Sequence, residues 1–528
     1  MKKMKGVGVL LVLALVTSLV AVVGLTPSMA QAATPEQIEN AIEDGMVWLA
    51  SQQNADGSWG GEDQVARTGL AVLKFETHAA FEGLNPFDPA YAYSNEVEAG
   101  LDYILDNCHN VGIGGQPAGD PDTNGNGIGV KPHCGAVHNE MYETGIALMA
   151  ISASQSPGRT HPGIGDQAGR RYDDVAQDII DFIAWAQHDG PPGDPCSQGG
   201  WRYWANFADS DNSISGYVTL GLDYASSGPP WGFNLTVPPF VYSELNIFVN
   251  NVQDPVNGDT DDGGSHYVPC GWEPVNILKT GNLLSEMAIL GDPLGVPGDG
   301  SRVQNAIDYM ERHWNDPGGD PGWQGNYQAC FTTMKGFQAF GIDTFGSPSI
   351  DWYDDMSEYI VSTQNADGSW PSDIWGDSQL TTCWAMLTLE KAAPPALELD
   401  PVTDTNPPGT NHTVTATYDI AGVPQVNVQI DFEVVSGPNA GASGSAMTNA
   451  SGQASFTYTS NGAEGTDTIK ATAVDPDGTP LVSAEATKNW ERHEAIPGLT
   501  VWGIIAAVVA VAGVAAFVLR RKLAYQAQ

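Results

Sequence analysis

The chain reads as a multidomain protein: an all-α unit, then an all-β sandwich, then a single C-terminal transmembrane helix. Three observations carry this. Hydrophobic residues recur at helical spacing in paired segments between residues 35 and 392. From residue 396 to 488 the pattern changes to strict alternation, as in HTVTATYDI, VNVQIDFEVV, QASFTYTS and DTIKATAVD, with PPG, SGPNAG and NASGQ as turns. Residues 499–519 then form an uncharged apolar run long enough to span a bilayer.

The first 32 residues read as a secretory signal peptide. MKKMK is followed by an apolar run over 7–25 and by Ala30 and Ala32 in A-x-A spacing, with cleavage expected after Ala32. The alternative is an uncleaved anchor helix. The all-α unit is expected over 33–392. Its first helix, near 35–52, carries Ile38, Ala41, Ile42, Met46 and Leu49 on one face; the next starts near Glu62 and carries Val65, Leu70, Val72 and Leu73. Between them lies QNADGSW (Gln53 to Trp59), repeated letter for letter from Gln364 to Trp370. Further charged helices are expected near 95–107, 173–187, 237–252, 301–314 and 350–363. Each is paired with a nearly charge-free one, near 139–153, 213–225, 274–290, 329–340 and 378–391. GGWRYW, DDGGSHY and GWQGNY form Gly-rich turns between them. Six helix pairs result, the charged members outside and the charge-free members enclosed.

On the Q-x-x-D-G-S-W turns and this pairing, residues 35–392 resemble the squalene cyclase and protein prenyltransferase superfamily. The resemblance implies one (α/α)6 toroid. It also implies a structural role for Gln53, Trp59, Trp201, Trp323, Gln364 and Trp370, the turn Gln and Trp tying neighbouring helices together. Residues 393–490 resemble bacterial Ig-like repeats of the Big-1, invasin-like group, which implies a spacer or adhesive sandwich. Residues 491–498 read as a linker leading into Ile496, Pro497, Gly498, Leu499, Thr500, Trp502 and Gly503. These residues, the apolar run and Arg520, Arg521 and Lys522 resemble IPTL-type sorting tails, with Gly498 and Thr500 departing from the pattern. That resemblance implies an exosortase-like processing enzyme as partner. The basic residues after the helix place the tail, 520–528, in the cytoplasm and the rest outside. The expected location is a bacterial cell envelope or surface, with the membrane as a partner.

Six cysteines, Cys108, Cys134, Cys196, Cys270, Cys330 and Cys383, all fall in the helical unit. In an exported domain an even count favours disulfides. Fifteen pairings are possible and spacing does not choose among them; Cys330–Cys383 is favoured because both residues sit early in adjacent inner helices, and Cys108–Cys134 would staple the long loop of the second helix pair. Zinc is disfavoured because no C-x-x-C pair is present. Calcium is the cofactor to test. Asp120, Asp122, Asn124 and Asn126 alternate in DPDTNGNG, and Asp259, Asp261 and Asp262 cluster in NGDTDDGG, both offering hard oxygen ligands. Lys131 stands where an EF-hand would need an acid.

A class II terpene cyclase protonates an alkene with the central acid of D-x-D-D, which must be kept protonated and face a dry cavity. Asp259 to Asp262 matches the letters but precedes a Gly-Gly turn. Asp209-Ser210-Asp211-Asn212 opens a charge-free helix, so Asp209 and Asp211 are the candidate catalytic acids; helix capping is the competing role for Asp211. Charge removes one class of partner. With 21 basic against 63 acidic residues the net charge is -42, which repels nucleic acid. The expected function is a surface protein whose toroid binds a small hydrophobic, glycan or protein ligand without catalysis. The alternatives are an extracellular terpene cyclase-like or glycan-active enzyme, and an adhesion protein.

Overall fold

The computed structural model describes residues 32–133, 139–190, 196–228, 231–271, 274–317, 321–390, 396–420, 423–449, 451–474 and 480–492. Two compact units divide the chain, 1–394 and 395–528.

In the first unit twelve helices alternate between two roles among the described residues. Six carry one apolar stripe each: α1 (Pro35–Ser51), α3 (Ser94–Asp106), α5 (Tyr172–Ala186), α7 (Pro239–Val252), α9 (Arg302–His313) and α11 (Trp352–Ser362). The stripe of α9 is Val303, Ala306, Ile307 and Met310, the spacing of one helix face. The other six are buried nearly all round: α2 (Gln64–Phe81), α4 (Glu140–Ala153), α6 (Asn212–Ser226), α8 (Ile277–Ile289), α10 (Tyr327–Ala339) and α12 (Ser378–Leu389). In α4 every residue but Tyr142 is buried. A helix with no polar face needs neighbours on all sides. α2 packs on α4, α4 on α6, α6 on α8, α8 on α10, α10 on α12, and α12 back on α2, which closes a ring. Small residues set its radius. A Cβ on Gly145 of α4 would lie 2.7 Å from the Tyr217 carbonyl oxygen, and one on Gly221 of α6 would lie 2.5 Å from the Gly145 carbonyl oxygen, so neither glycine can be replaced without parting the helices.

The turns between outer and inner helices stitch the two layers. The Gln53 amide donates to the carbonyls of Gly57 in its own turn and Glu96 in α3, both at 3.0 Å. Gln187 bridges Gly199 and Val241, Gln253 bridges Gly263 and Arg302, and Gln364 bridges Gly368 and Ala41. The Gln364 bond to Ala41 joins the last outer helix to the first. Four buried indoles do the complementary work. Trp59, Trp201, Trp323 and Trp370 donate Nε1–H to the carbonyls of Leu49, Ile183, Trp314 and Ile360, at 2.7–3.0 Å. Within the two QNADGSW copies even the small contacts recur: Ser58 and Ser369 each donate to the turn aspartate two residues before, at 2.7 Å.

The second unit is β throughout. One sheet holds β6 (Thr403–Asn406), β9 (Gln429–Ser436), β10 (Ser443–Met447), β12 (Gly465–Val474) and β13 (Pro480–Trp490), in the order β10-β9-β12-β13-β6. All its pairs are antiparallel except β13 with β6. The other holds β5 (Ala396–Asp400), β7 (Asn411–Ile420) and β11 (Gln453–Thr459), with β8 (Val423–Pro424) on β7. Inward residues of both sheets, among them Val414, Ala416, Phe432, Ile469 and Trp490, form one apolar cluster. Inside it the buried Asp467 carboxylate is satisfied by the Asn439 amide, the Tyr458 hydroxyl and the Trp490 indole.

The expected fold class, an all-α (α/α)6 toroid, a β-sandwich and a transmembrane helix, is corrected in two places. The helical unit is not all-α. The stretch read as a loop after α3 forms an antiparallel pair, β1 (Cys108–Gly112) with β2 (Ile128–Pro132), and β3 (Thr344–Phe345) pairs with β4 (Ile350–Asp351). Second, no helix among the described residues is long and apolar enough to cross a membrane. The expected C-terminal span, 499–519, lies outside the described residues, as do the signal segment 1–31, the sorting residues 496–503 and the tail. The transmembrane helix, the membrane as partner and the anchored cell-surface location drawn from them therefore have no helix to rest on and are withdrawn.

Candidate ligand-binding site

Neighbouring inner helices run parallel, so the ring has an N-terminal and a C-terminal end, and the two are built differently. At the N-terminal end Asp211 caps α6. Its carboxylate accepts from the Ser213 hydroxyl at 2.6 Å, the Ile214 N–H at 2.9 Å and the Tyr267 hydroxyl at 3.4 Å, and is ion-paired with Arg202 at 2.9 Å. Burial pushes its pKa up; the donors and Arg202 pull the other way. An acid for alkene protonation needs an O–H facing a cavity, whereas this carboxylate spends its lone pairs on protein donors. Asp209, the other candidate, is part-exposed and 3.8 Å from Arg202. The loops at this end are tied by a disulfide between Cys196 and Cys270, ahead of α6 and α8.

The centre of the ring is filled. α6 and α12 stand three places apart in the ring of six and so face each other across it, yet the Trp384 indole of α12 donates to the Tyr217 hydroxyl of α6 at 2.9 Å. Gln328 of α10 donates to the same oxygen at 3.3 Å, Phe331 stacks on the Tyr217 ring and Tyr142 meets its edge.

The C-terminal end is open. The last turns of α6, α8 and α10 and the segment after α6 surround a recess of about 230 Å³. Asp223 and Lys335 supply one charge of each sign, and Thr219, Ser227, Ser285 and Gln338 supply further polar groups. Tyr224 and Trp231 supply aromatic surface. Lys335 Nζ donates to the Tyr224 hydroxyl at 2.6 Å and lies 4.9 Å over that ring. Asp223 is exposed because it faces the recess, but protein surrounds it on most sides; burial pushes its carboxyl up while Lys335 pulls it down. Three wall atoms, Thr219 Oγ1, Trp231 Nε1 and Gln338 Nε2, are buried without a hydrogen-bond partner among the described residues. Orphaned polar atoms cost free energy unless a ligand or water serves them. Burial pushes the carboxyl of Glu286, next to Ser285 on α8, well above the usual carboxylate range, and neither of its oxygens has a hydrogen-bond partner among the described residues.

The metal candidates fare unequally. Asp122 accepts from the N–H groups of Gly125, Asn126 and Gly127, and the side-chain amides of Asn124 and Asn126 donate to Asp178, so that loop is tied to α5 by its own hydrogen bonds. Asp120 accepts from the Asp122 N–H. In the second loop three carboxylates come within 4.8 Å of one another, but they are Asp254, Asp259 and Asp262; Asp261 is not among them. Asp254 also pairs with His266. Hard oxygens at that spacing suit a divalent cation.

The expected cysteine pairing is corrected. Cys330 and Cys383 are buried free thiols inside α10 and α12, and Cys108 is a third; Cys134 lies outside the described residues. The pair that forms lies in two loops, where the backbone can bring Cα atoms to 5.6 Å.

The recess residues went unnamed in the sequence reading. A signal was present: on inner helices otherwise nearly free of charge, Asp223, Glu286 and Lys335 are exceptions near the C-terminal ends. No family profile matches the chain, and no curated protein matches its sequence. Among solved structures it is similar to Pseudomonas fluorescens alkylpurine DNA glycosylase AlkC bound to DNA containing an abasic site analog. The identity is 13% over 53% of this chain and 71% of that one, with a TM-score of 0.13, too low to carry an argument.

Proposed function

We propose that the helical unit is a binding unit that takes a small polar molecule in the recess at the C-terminal ends of α6, α8 and α10. The observation that supports it is the recess itself: a lining that is mostly apolar but carries one charge of each sign, with three orphaned buried atoms in its wall. Its volume, below the roughly 300–1,000 Å³ of drug-sized sites, fits a molecule of one ring or a few carbons. Cyclisation of a long isoprenoid finds less support, since the ring centre is filled by Tyr217 and Trp384 and Asp211 is committed to its cap. Thermal-shift screening of the full chain tests the proposal. Amino acids, hexoses and small polyols form one arm, and farnesol and squalene the other. A polar ligand should raise the melting temperature, and Lys335→Met and Asp223→Asn should each abolish the shift. A cyclised squalene product that disappears in Asp211→Asn would overturn it.

A further inference from the structure

We infer that the ligand of this recess is a zwitterion with an apolar body, an amino acid of aliphatic side chain, bound with its ammonium on Asp223 and its carboxylate on Lys335; the inference rests on the binding role proposed above. Two charges of opposite sign face the recess, and they are not paired with each other. Among the described residues no hydrogen bond or ion pair reaches the Asp223 carboxylate. Lys335 uses one of its donors on the Tyr224 hydroxyl, at 2.6 Å, and keeps the others. The rings of Tyr224 and Phe331 lie 4.9 and 5.8 Å from its Nζ and fix its place. Between the two charges stands α8, packed on α6 at one side and on α10 at the other. It lines the recess with Ser285 and Ala288, both small, which leaves room for the body of a ligand. Most of the reachable lining is apolar, with Leu220, Ala288, Ala339 and the rings of Tyr224 and Trp231 among its walls.

Other classes of small ligand leave part of this lining unmatched. A hydrocarbon would strip water from both charges and return nothing. A phosphate or dianion meets one ammonium and a repelling carboxylate. A simple amine covers Asp223 and brings a like charge towards Lys335, and a simple carboxylate does the reverse. A sugar neutralises neither charge and sets hydroxyls against apolar wall. A zwitterion forms a charge-assisted hydrogen bond at each end, and its aliphatic side chain covers the apolar wall.

Saturation-transfer NMR titrations on the full chain test this. The zwitterion probes are L-valine and L-leucine. Isobutylamine and isoamylamine are the same molecules without the carboxylate, isovalerate and isocaproate the same without the ammonium, and D-glucose is the uncharged probe. At least one amino acid should bind, and its two single-charge counterparts should bind about tenfold more weakly or worse. Asp223→Asn should cost the amino acid about tenfold in affinity and not weaken the carboxylate counterpart, and Lys335→Met should cost as much and not weaken the amine. Circular dichroism and cooperative melting of both variants should stay those of the parent. Glucose, an amine or a carboxylate binding more tightly than either amino acid, and weakened by these substitutions, would overturn the zwitterion assignment and leave the recess as the binding site. Failure of every probe to bind would overturn both. Amino-acid binding that survives Asp223→Asn and Lys335→Met unchanged would place the ligand elsewhere and overturn the assignment.

Discussion

Helix α6 carries an aspartate at each end, and the two have opposite surroundings. Asp211 at the N-terminus meets two hydroxyls, a backbone N–H and a guanidinium, beside loops joined by a disulfide. Asp223, near the C-terminus, faces a recess with Lys335 as its opposing charge and orphaned polar atoms in the wall. Both carboxyls are pushed up by burial, so the pKa direction does not distinguish them. Satisfaction does. Where the protein supplies a carboxylate with hydrogen-bond donors, as at Asp211, the charge belongs to the fold; Asp223 is left with Lys335 as its opposing charge at the wall of an open recess.

The contrast can be broken by substitution. The largest loss is expected from removing the disulfide: Cys196→Ser with Cys270→Ser frees a loop closed over 74 residues and should cost about 4 kcal/mol in urea denaturation, with recess binding unchanged at low temperature. Next, Asp211→Ala removes a cap and leaves Arg202 without its partner, at about 3 kcal/mol, whereas Asp223→Asn should stay within about 1 kcal/mol of the parent. Equal losses at the two positions would erase the distinction. Gln364→Ala strips the donor from the Ala41 and Gly368 carbonyls and should cost about 2 kcal/mol, showing that the seam closing the ring contributes as the N-terminal end does. The smallest effect is in pH. Because the folded protein raises the Asp223 pKa above its ordinary 3.8, it binds the proton more tightly than the unfolded chain does. This contribution to stability is therefore full below that value and is lost as pH rises through the folded pKa. Stability curves against pH should show that decline in the parent and lack it in Asp223→Asn.

Much of the helical unit was legible because its causes are local. The first helix was expected near 35–52 and runs Pro35–Ser51, with Thr34 as its cap and Gln37 completing a capping box. The QNADGSW turns stood out as repeats, and both copies make the same bonds in space. Gln187 and Gln253 escaped notice because their turns share the geometry and not the letters. The β1–β2 pair was missed because its strands flank a polar loop with no alternation, and register there is set by contact with α5. Disulfide pairing depends on where loops meet, which spacing does not encode. The recess is a product of three helices distant in sequence, and a single Lys or Asp on each reads as ordinary until the ends are brought together.

Hydrogen exchange on the full chain, with and without an excess mixture of amino acids, hexoses and small polyols, tests the central claim most directly. The account predicts slowed exchange in residues 219–231, 285–289 and 335–339 and no change in 202–217. Protection confined to 202–217, or none in the helical unit at all, would contradict it.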